Sequence, residues 1–189
     1  MAKLYLDEKL PEFRRWYAFC VITGREDTVK AELERELAEL PDVDCAILVP
    51  KRELVERKGG TGRTVLKVMF PGYVIIGTER INEFASAAKR NSNVLYALTG
   101  DSEYLEIYPD EISCIIYMQD DDGVIVMSEV EYDKDNRIRV LAGPLKGQEG
   151  RITKVDRRKG RVKVKFALAN IRREIWLGVR VVDMAISTE

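Results

Sequence analysis

The chain has 189 residues, with 31 Lys and Arg against 32 Asp and Glu for a net charge of −1, long enough for one large domain or two small ones at roughly 100 to 200 residues each. It has no His, which excludes Ser-His and Cys-His nucleophiles, His acid–base catalysis and His-ligated zinc. The balance of charge is uneven: residues 1–133 carry 16 basic and 26 acidic side chains, net −10, and residues 134–189 carry 15 and 6, net +9. A tail of that charge points to a polyanionic partner, most often nucleic acid.

Cys20, Cys45 and Cys114 are odd in number and spaced for neither a metal knuckle nor a disulfide framework, so reduced, mostly buried thiols are expected. No run approaches the roughly 18 apolar residues of a membrane span, and Asp7-Glu8 interrupts any signal-like core, so a cytoplasmic, membrane-free chain is expected. No cofactor or metal is implied.

Trp16 to Ile22 is a short apolar, β-favouring run that suits a central strand. Thr23 and Glu26 have capping-box spacing, and Val29, Leu33, Leu37 and Leu40 follow on one helical face before Pro41-Asp42 ends the pattern. Strands are expected at Cys45 to Val49, through Glu53-Leu54-Val55-Glu56 and at Val65 to Phe70. Between the last two, Gly59-Gly60-Thr61-Gly62 reads as a hairpin tip and not as a phosphate cradle. Pro71-Gly72 interrupts the run before Val74-Ile75-Ile76, so Phe70 and Tyr73 are expected beside a kink and facing outward. A short helix at Ile81 to Arg90, a loop at Asn91-Ser92-Asn93, a strand at Val94 to Leu98 and a helix from Pro109 carrying Ile112, Ile115 and Ile116 complete an α/β or α+β sandwich.

Residues 119–133 read as a linker, with one possible strand at Val124 to Met127. Beyond it, Ile138 to Leu141, Gly150 to Val155, Arg161 to Phe166 and Glu174 to Leu177 are short strands of the kind that close a small barrel. Arg161, Lys163 and Lys165 share one face of a strictly alternating strand, beside the turn Asp156-Arg157-Arg158-Lys159-Gly160. Six cations on one hairpin suit phosphate, although Lys and Arg also blunt sheet edges. Trp176 is expected in the core, leaving no aromatic platform for stacked bases.

Trp16-Tyr17, Phe70-Pro71-Gly72-Tyr73-Val74, Arg90-Asn91-Ser92-Asn93-Val94, and Gly143-Pro144-Leu145-Lys146-Gly147 followed by Gly150-Arg151-Ile152 occur in this order across residues 14 to 183. Together they resemble the NusG family of transcription elongation factors. Within it, Pro50-Lys51-Arg52-Glu53-Leu54, the basic 156–161 hairpin and Trp176-Leu177-Gly178-Val179 resemble LoaP-type processive antiterminators first and RfaH-like proteins next.

The resemblance implies an α+β protein: an NGN α/β sandwich with an antiparallel sheet at residues 12–118, a linker at 119–133, and an SH3-like β-barrel KOW domain at 134–189. It implies no catalysis and a monomer. The NGN domain would dock on the β′ clamp helices of RNA polymerase through Phe19, Cys20, Phe70, Pro71, Tyr73, Ile112 and Ile116. Arg25, Arg90, Asn91 and Ser92 would lie beside the non-template DNA strand. The LoaP resemblance implies that the KOW domain binds a nascent leader RNA hairpin, for which Arg157, Arg158, Lys159, Arg161, Lys163, Lys165, Arg172 and Arg173 are the candidates.

Two rivals remain. A general adaptor would use the KOW domain to recruit a ribosomal protein or Rho, without the salt dependence of phosphate binding. An enzyme would need Asp120-Asp121-Asp122 to be catalytic, and no electrophile-binding motif accompanies those acids. The alternation in the tail also predicts a stable barrel, with no all-helical form.

Overall fold

The computed structural model describes residues 15–38, 45–135 and 137–182; Leu40, the Pro41-Asp42 stop and the acidic N-terminus lie outside them. The described chain forms two units, one of residues 15–38, 45–50, 68–117 and 167–172, the other of 51–67, 118–135, 137–166 and 173–182.

In chain order the elements begin with β1 (Trp16–Val21), α1 (Glu26–Ala38), β2 (Ala46–Leu48), β3 (Lys51–Lys58), β4 (Thr61–Val68), β5 (Tyr73–Gly77), α2 (Ile81–Ala88) and β6 (Val94–Ala97). They continue with β7 (Thr99–Gly100), β8 (Glu103–Tyr104), α3 (Pro109–Met118), β9 (Val124–Ile125), β10 (Ser128–Tyr132), β11 (Ile138–Ala142), β12 (Ile152–Asp156), β13 (Arg161–Leu168) and β14 (Ile171–Val181).

The first unit is built on a four-stranded antiparallel sheet of order β2-β5-β1-β6. Tyr17, Phe19 and Val21 of β1 join Val29, Leu33 and Leu37 of α1 and Phe84 of α2 in one core. Trp16 and Ala18 point to the opposite face and are also buried, because alternate side chains leave opposite sides of a strand. Burial on both faces explains why the run reads as continuously apolar. Each fully buried aliphatic of α1 contributes about 1.5–3 kcal/mol. Phe19 meets Phe84 edge to face, with ring centroids 5.3 Å apart.

Trp16 lies opposite Gly77 across the ladder. A Cβ at Gly77 would stand 2.9 Å from the Trp16 ring, and a close-packed core has no room to yield. Gly77→Ala should therefore cost about 1–3 kcal/mol, read as a lowered denaturation midpoint of the whole chain. An unchanged midpoint would mean that the indole can shift.

The second unit contains a five-stranded sheet of order β11-β10-β14-β13-β12 and a three-stranded sheet of order β4-β3-β9. The five-stranded sheet presents Val130, Val140, Val162, Val164, Phe166, Leu177 and Val179 inward. Register shifts at Glu129/Val130 and Ile152/Lys154 supply bends of the kind such sheets need. Among its described residues this sheet's chain contains strands and two short 3₁₀ turns, but no α-helix. The Gly143 to Gly147 turn folds onto Ser128, whose Oγ accepts the Leu145 N–H at 3.0 Å. Gly143, at φ +94, would place a Cβ 2.8 Å from the Ser128 Cα.

β3 and β4 are joined at Gly59 (φ +59) and Gly60 (φ +86), two successive left-handed residues that match the twist of a hairpin. β3 also pairs in parallel with β9, Lys51 opposite Val124 and Arg52 opposite Ile125. The stretch 119–133 thus holds more order than a linker with one strand. β9 and β10 lie within it, and Val130 is completely buried. Its strand signal was diluted by the acids at 129 and 131, which sit on the outer side of β10. The β7–β8 hairpin was also not expected; Asp101 and Ser102 turn it with positive φ.

Candidate functional site

One end of the four-stranded sheet gathers three loops, at 22–25, 70–73 and 90–93. The Val21 N–H donates to the Gly72 carbonyl at 2.8 Å, and the Ile22 N–H to the Asn93 carbonyl at 2.9 Å. Glu26 opens α1 almost entirely out of solvent, at 3% exposure. Its carboxylate accepts from the Gly24 N–H at 2.9 Å and from the Gly72 N–H at 2.7 Å. The capping box expected of Thr23 and Glu26 does not form: the helix begins at Glu26, so Glu26 is too early to be the third helical residue, and its carboxylate reaches back to Gly24 and not to the Thr23 N–H. Its second partner, 46 residues away, had no local signal.

The Phe70-Pro71-Gly72-Tyr73 kink does not turn both aromatics outward. Phe70 is 3% exposed, whereas Tyr73 is half-buried and Pro71 exposed. Phe19, Ile112 and Ile116 are buried too. Half-exposed Cys20 sits between Tyr73 on β5 and Tyr96 on β6 in the ladder, so the three side chains form one row on one sheet face. Cys20 and Tyr96 share a hydrogen bond that pushes the Tyr96 hydroxyl above its ordinary value. Tyr96 is 58% exposed and was missed, because a four-residue apolar strand does not reveal which of its faces is covered. None of the three cysteines is in a disulfide, and only Cys114 is buried.

Arg25, Arg90 and Ser92 are exposed on the three-loop edge, and Asn91 is buried. The Asn91 Nδ2 donates to Glu32 at 2.9 Å, and its Oδ1 accepts the Asn93 N–H at 2.9 Å. Asn91 therefore ties the loop to α1 and leaves Arg90 and Ser92 outward.

In the second unit, Arg157 to Lys159 form a 3₁₀ turn closed by Gly160 in the left-handed region. Asp156 shapes it, accepting the Lys159 N–H at 3.1 Å and the Arg161 Nε at 3.2 Å. Burial pushes the Asp156 carboxyl up, but the Lys159 N–H and then Arg161 outweigh it and hold it below its ordinary value. Lys163 pairs with Glu174 at 3.1 Å. A hydrogen bond from Thr153 and then the Lys163 ammonium hold the Glu174 carboxyl low. Arg158, Lys159 and Lys165 are exposed. The structure thus brings Arg157, Arg158, Lys159, Arg161, Lys163 and Lys165 together along one turn and one strand face. Arg172 and Arg173 follow the turn at the far end of β13, and Arg172 groups with the first unit.

Trp176 is not core. It is half-buried on the outer side of β14, between inward Ile175 and Leu177. Its ring carries the Arg161 guanidinium at 4.3 Å and the Lys163 ammonium at 5.7 Å. The Arg157 guanidinium lies 4.0 Å from the centre of the Tyr132 ring. The acids at 120–122 have a local role: Asp120 Oδ1 accepts the Asp122 and Val124 N–H groups and forms the turn into β9. No group of side chains suited to a metal ion occurs among the described residues. Nor is any described helix long and apolar enough to cross a membrane.

An antiparallel sheet buried on both faces is followed along the chain by a basic five-stranded sheet, the arrangement of a two-domain α+β protein. Residues 14–116 match the family model described as transcription termination factor nusG, and residues 134–165 match the KOW motif. The transcription termination/antitermination protein NusG of Thermus thermophilus is 28% identical over 162 residues, covering 79% of this chain and 86% of that protein. The Bacillus subtilis protein of the same name is 26% identical over 157 residues, covering 80% and 87%. A solved structure described as domain interaction in Thermotoga maritima NusG shares the fold at a TM-score of 0.55 and 17% identity, covering 87% of this chain and 93% of that one. The chain belongs to the NusG family of transcription termination/antitermination factors.

Proposed function

We propose that the chain is a non-catalytic processive antiterminator, active in the cytoplasm as a monomer and specialised in the manner of LoaP. Its NGN domain, residues 12–118, docks on the β′ clamp helices of RNA polymerase with the Cys20–Tyr73–Tyr96 row and Pro71. Phe19, Phe70, Ile112 and Ile116 are buried and take no direct part in that contact. Arg25, Arg90 and Ser92 face the non-template DNA strand, positioned by Asn91. A region at net −10 repels free DNA, so polymerase contact precedes DNA contact. The KOW domain, residues 134–189, binds a nascent leader RNA hairpin, and the preceding strand β10 pairs into the same sheet.

The observation that carries the RNA half is the ordered basic turn. Asp156 and Gly160 present Arg157, Arg158 and Lys159 outward, in continuity with the cationic face of β13. Holding like charges this close is unfavourable until a polyanion arrives and releases its counterions.

The test is titration of the full chain against structured leader RNAs and an unrelated hairpin at two salt concentrations. Selective binding with a log-log salt slope of roughly −0.7 to −0.9 per phosphate contact is expected. Arg157→Ala/Arg158→Ala/Arg161→Ala should reduce that slope by about 3 and weaken binding about a hundredfold near physiological salt. Binding that is salt-insensitive and unselective would instead favour the protein-recruiting adaptor.

A further inference from the structure

We propose that Trp176 is a stacking platform for one unpaired nucleobase, so that the RNA bound by the basic hairpin must present a loop or bulge nucleotide there. This rests on the RNA-binding reading above and names the element that is read.

An outward indole on a barrel strand leaves a broad apolar face against water. Here that face is covered by cations, Arg161 at 4.3 Å and Lys163 at 5.7 Å. Such contacts are weak at exposed sites, about 0.5–1 kcal/mol, whereas a base stacked on an aromatic ring contributes about 1–3 kcal/mol. A nucleotide can therefore displace the cations from the ring. It also offers them a better partner, because its phosphate lies next to its base. The outcome is a base on the indole and its phosphate on Arg161 or Lys163. Both cations remain near, since Asp156 holds Arg161 and Glu174 holds Lys163.

A base within a continuous duplex cannot do this, because its two faces are already stacked. A-form duplexes are read through shape and backbone, and single-stranded loops through splayed bases. Tyr132 is a different case. Its hydroxyl is buried without a hydrogen-bond partner, so its ring is a shelf for Arg157 with no open end for a base. Trp176 is thus the platform, and Tyr132 sets the position of one neighbouring cation.

The test uses the full chain, wild type and Trp176→Leu, with two RNAs of equal length and charge: a hairpin with a loop and bulge, and an uninterrupted duplex. The substitution should weaken hairpin binding about tenfold and change duplex binding less than about twofold. In the wild type, the hairpin should quench tryptophan emission and the duplex should not; the second tryptophan, Trp16, is 2% exposed and supplies a constant background. That quenching also decides the matter if Trp176→Leu folds poorly. Equal weakening of both RNAs would overturn the stacking role and leave Trp176 a positioning residue for the cations. No effect of Trp176→Leu and no quenching, with hairpin binding intact, would overturn stacking alone. Failure of the wild type to bind either RNA would overturn the RNA reading with it and direct the KOW domain to a protein partner.

Discussion

Gly178→Ala should destabilise the second unit by about 3 kcal/mol, and Gly178→Val by more. A Cβ at Gly178 would stand 2.6 Å from the Glu53 carbonyl oxygen and 2.6 Å from the Met127 Cγ. Neither neighbour can move cheaply. The Glu53 backbone is part of β3, which is paired to β9. Met127 is held to the same residue, its N–H donating to Glu53 Oε2 at 3.1 Å. Relief requires lifting the β3–β4 hairpin away from β14, which exposes the surface both elements cover. Overpacking usually costs 1–3 kcal/mol, and contact with backbone belongs at or above the top of that range. For a chain of this length about 3 kcal/mol lowers the melting temperature by about 6–12 °C. The control is Gly150→Ala: a Cβ there meets nothing within 4 Å, so its change should stay within about 0.5 kcal/mol. Equal melting of Gly178→Ala and wild type would show that the close approach relaxes at little cost.

Glu26→Ala should loosen the three-loop edge as a whole. The carboxylate is almost wholly buried and accepts two backbone N–H groups, of Gly24 and of Gly72. Hydrogen bonds to a charged group contribute about 1.5–3 kcal/mol each, and removing the acceptor leaves a buried donor unpaired. A loss of about 3–5 kcal/mol is expected, with Glu26→Gln between the variant and wild type because its amide oxygen still serves one donor. The effect should be local as well as global. In hydrogen exchange the Gly24 and Gly72 amides should lose protection ahead of the β1 and β5 ladder. Unchanged protection at Gly72 would mean that the backbone bond from Val21 to Gly72 suffices to hold the kink. On the proposed function, Glu26→Ala should also weaken docking on polymerase, since Pro71 and Tyr73 sit on the loop that is released.

Much of the secondary structure was legible because local periodicity reports it. Val29, Leu33 and Leu37 occupy the buried stripe of α1 as their spacing requires. The alternation from Arg161 to Phe166 survives as inward Val162, Val164 and Phe166 against outward cations. Burial was less legible wherever a residue sits on a sheet packed from both sides. The proline kink suggested exposure for Phe70, yet Phe70 is buried and no local pattern reports it. Asn91 read as a loop residue free for DNA until Glu32, 59 residues away, claimed its amide.

By itself the sequence determined the division into an acidic first region and a basic tail, the exclusion of histidine chemistry, the three helices and the longer strands, and the family. Each of these depends on composition, on spacing along the chain, or on motifs a few residues long. Only the tertiary structure decided which aromatic groups face water. Tyr96 joins Cys20 and Tyr73 because three strands place them side by side, and Trp176 lies beneath Arg161 and Lys163 because β13 and β14 belong to one sheet. It likewise decided why position 178 is glycine, since the atom a larger residue would strike belongs to Glu53, 125 positions earlier in the chain. Contacts of that kind depend on packing between elements distant in sequence, and no period of 2 or 3.6 residues encodes them.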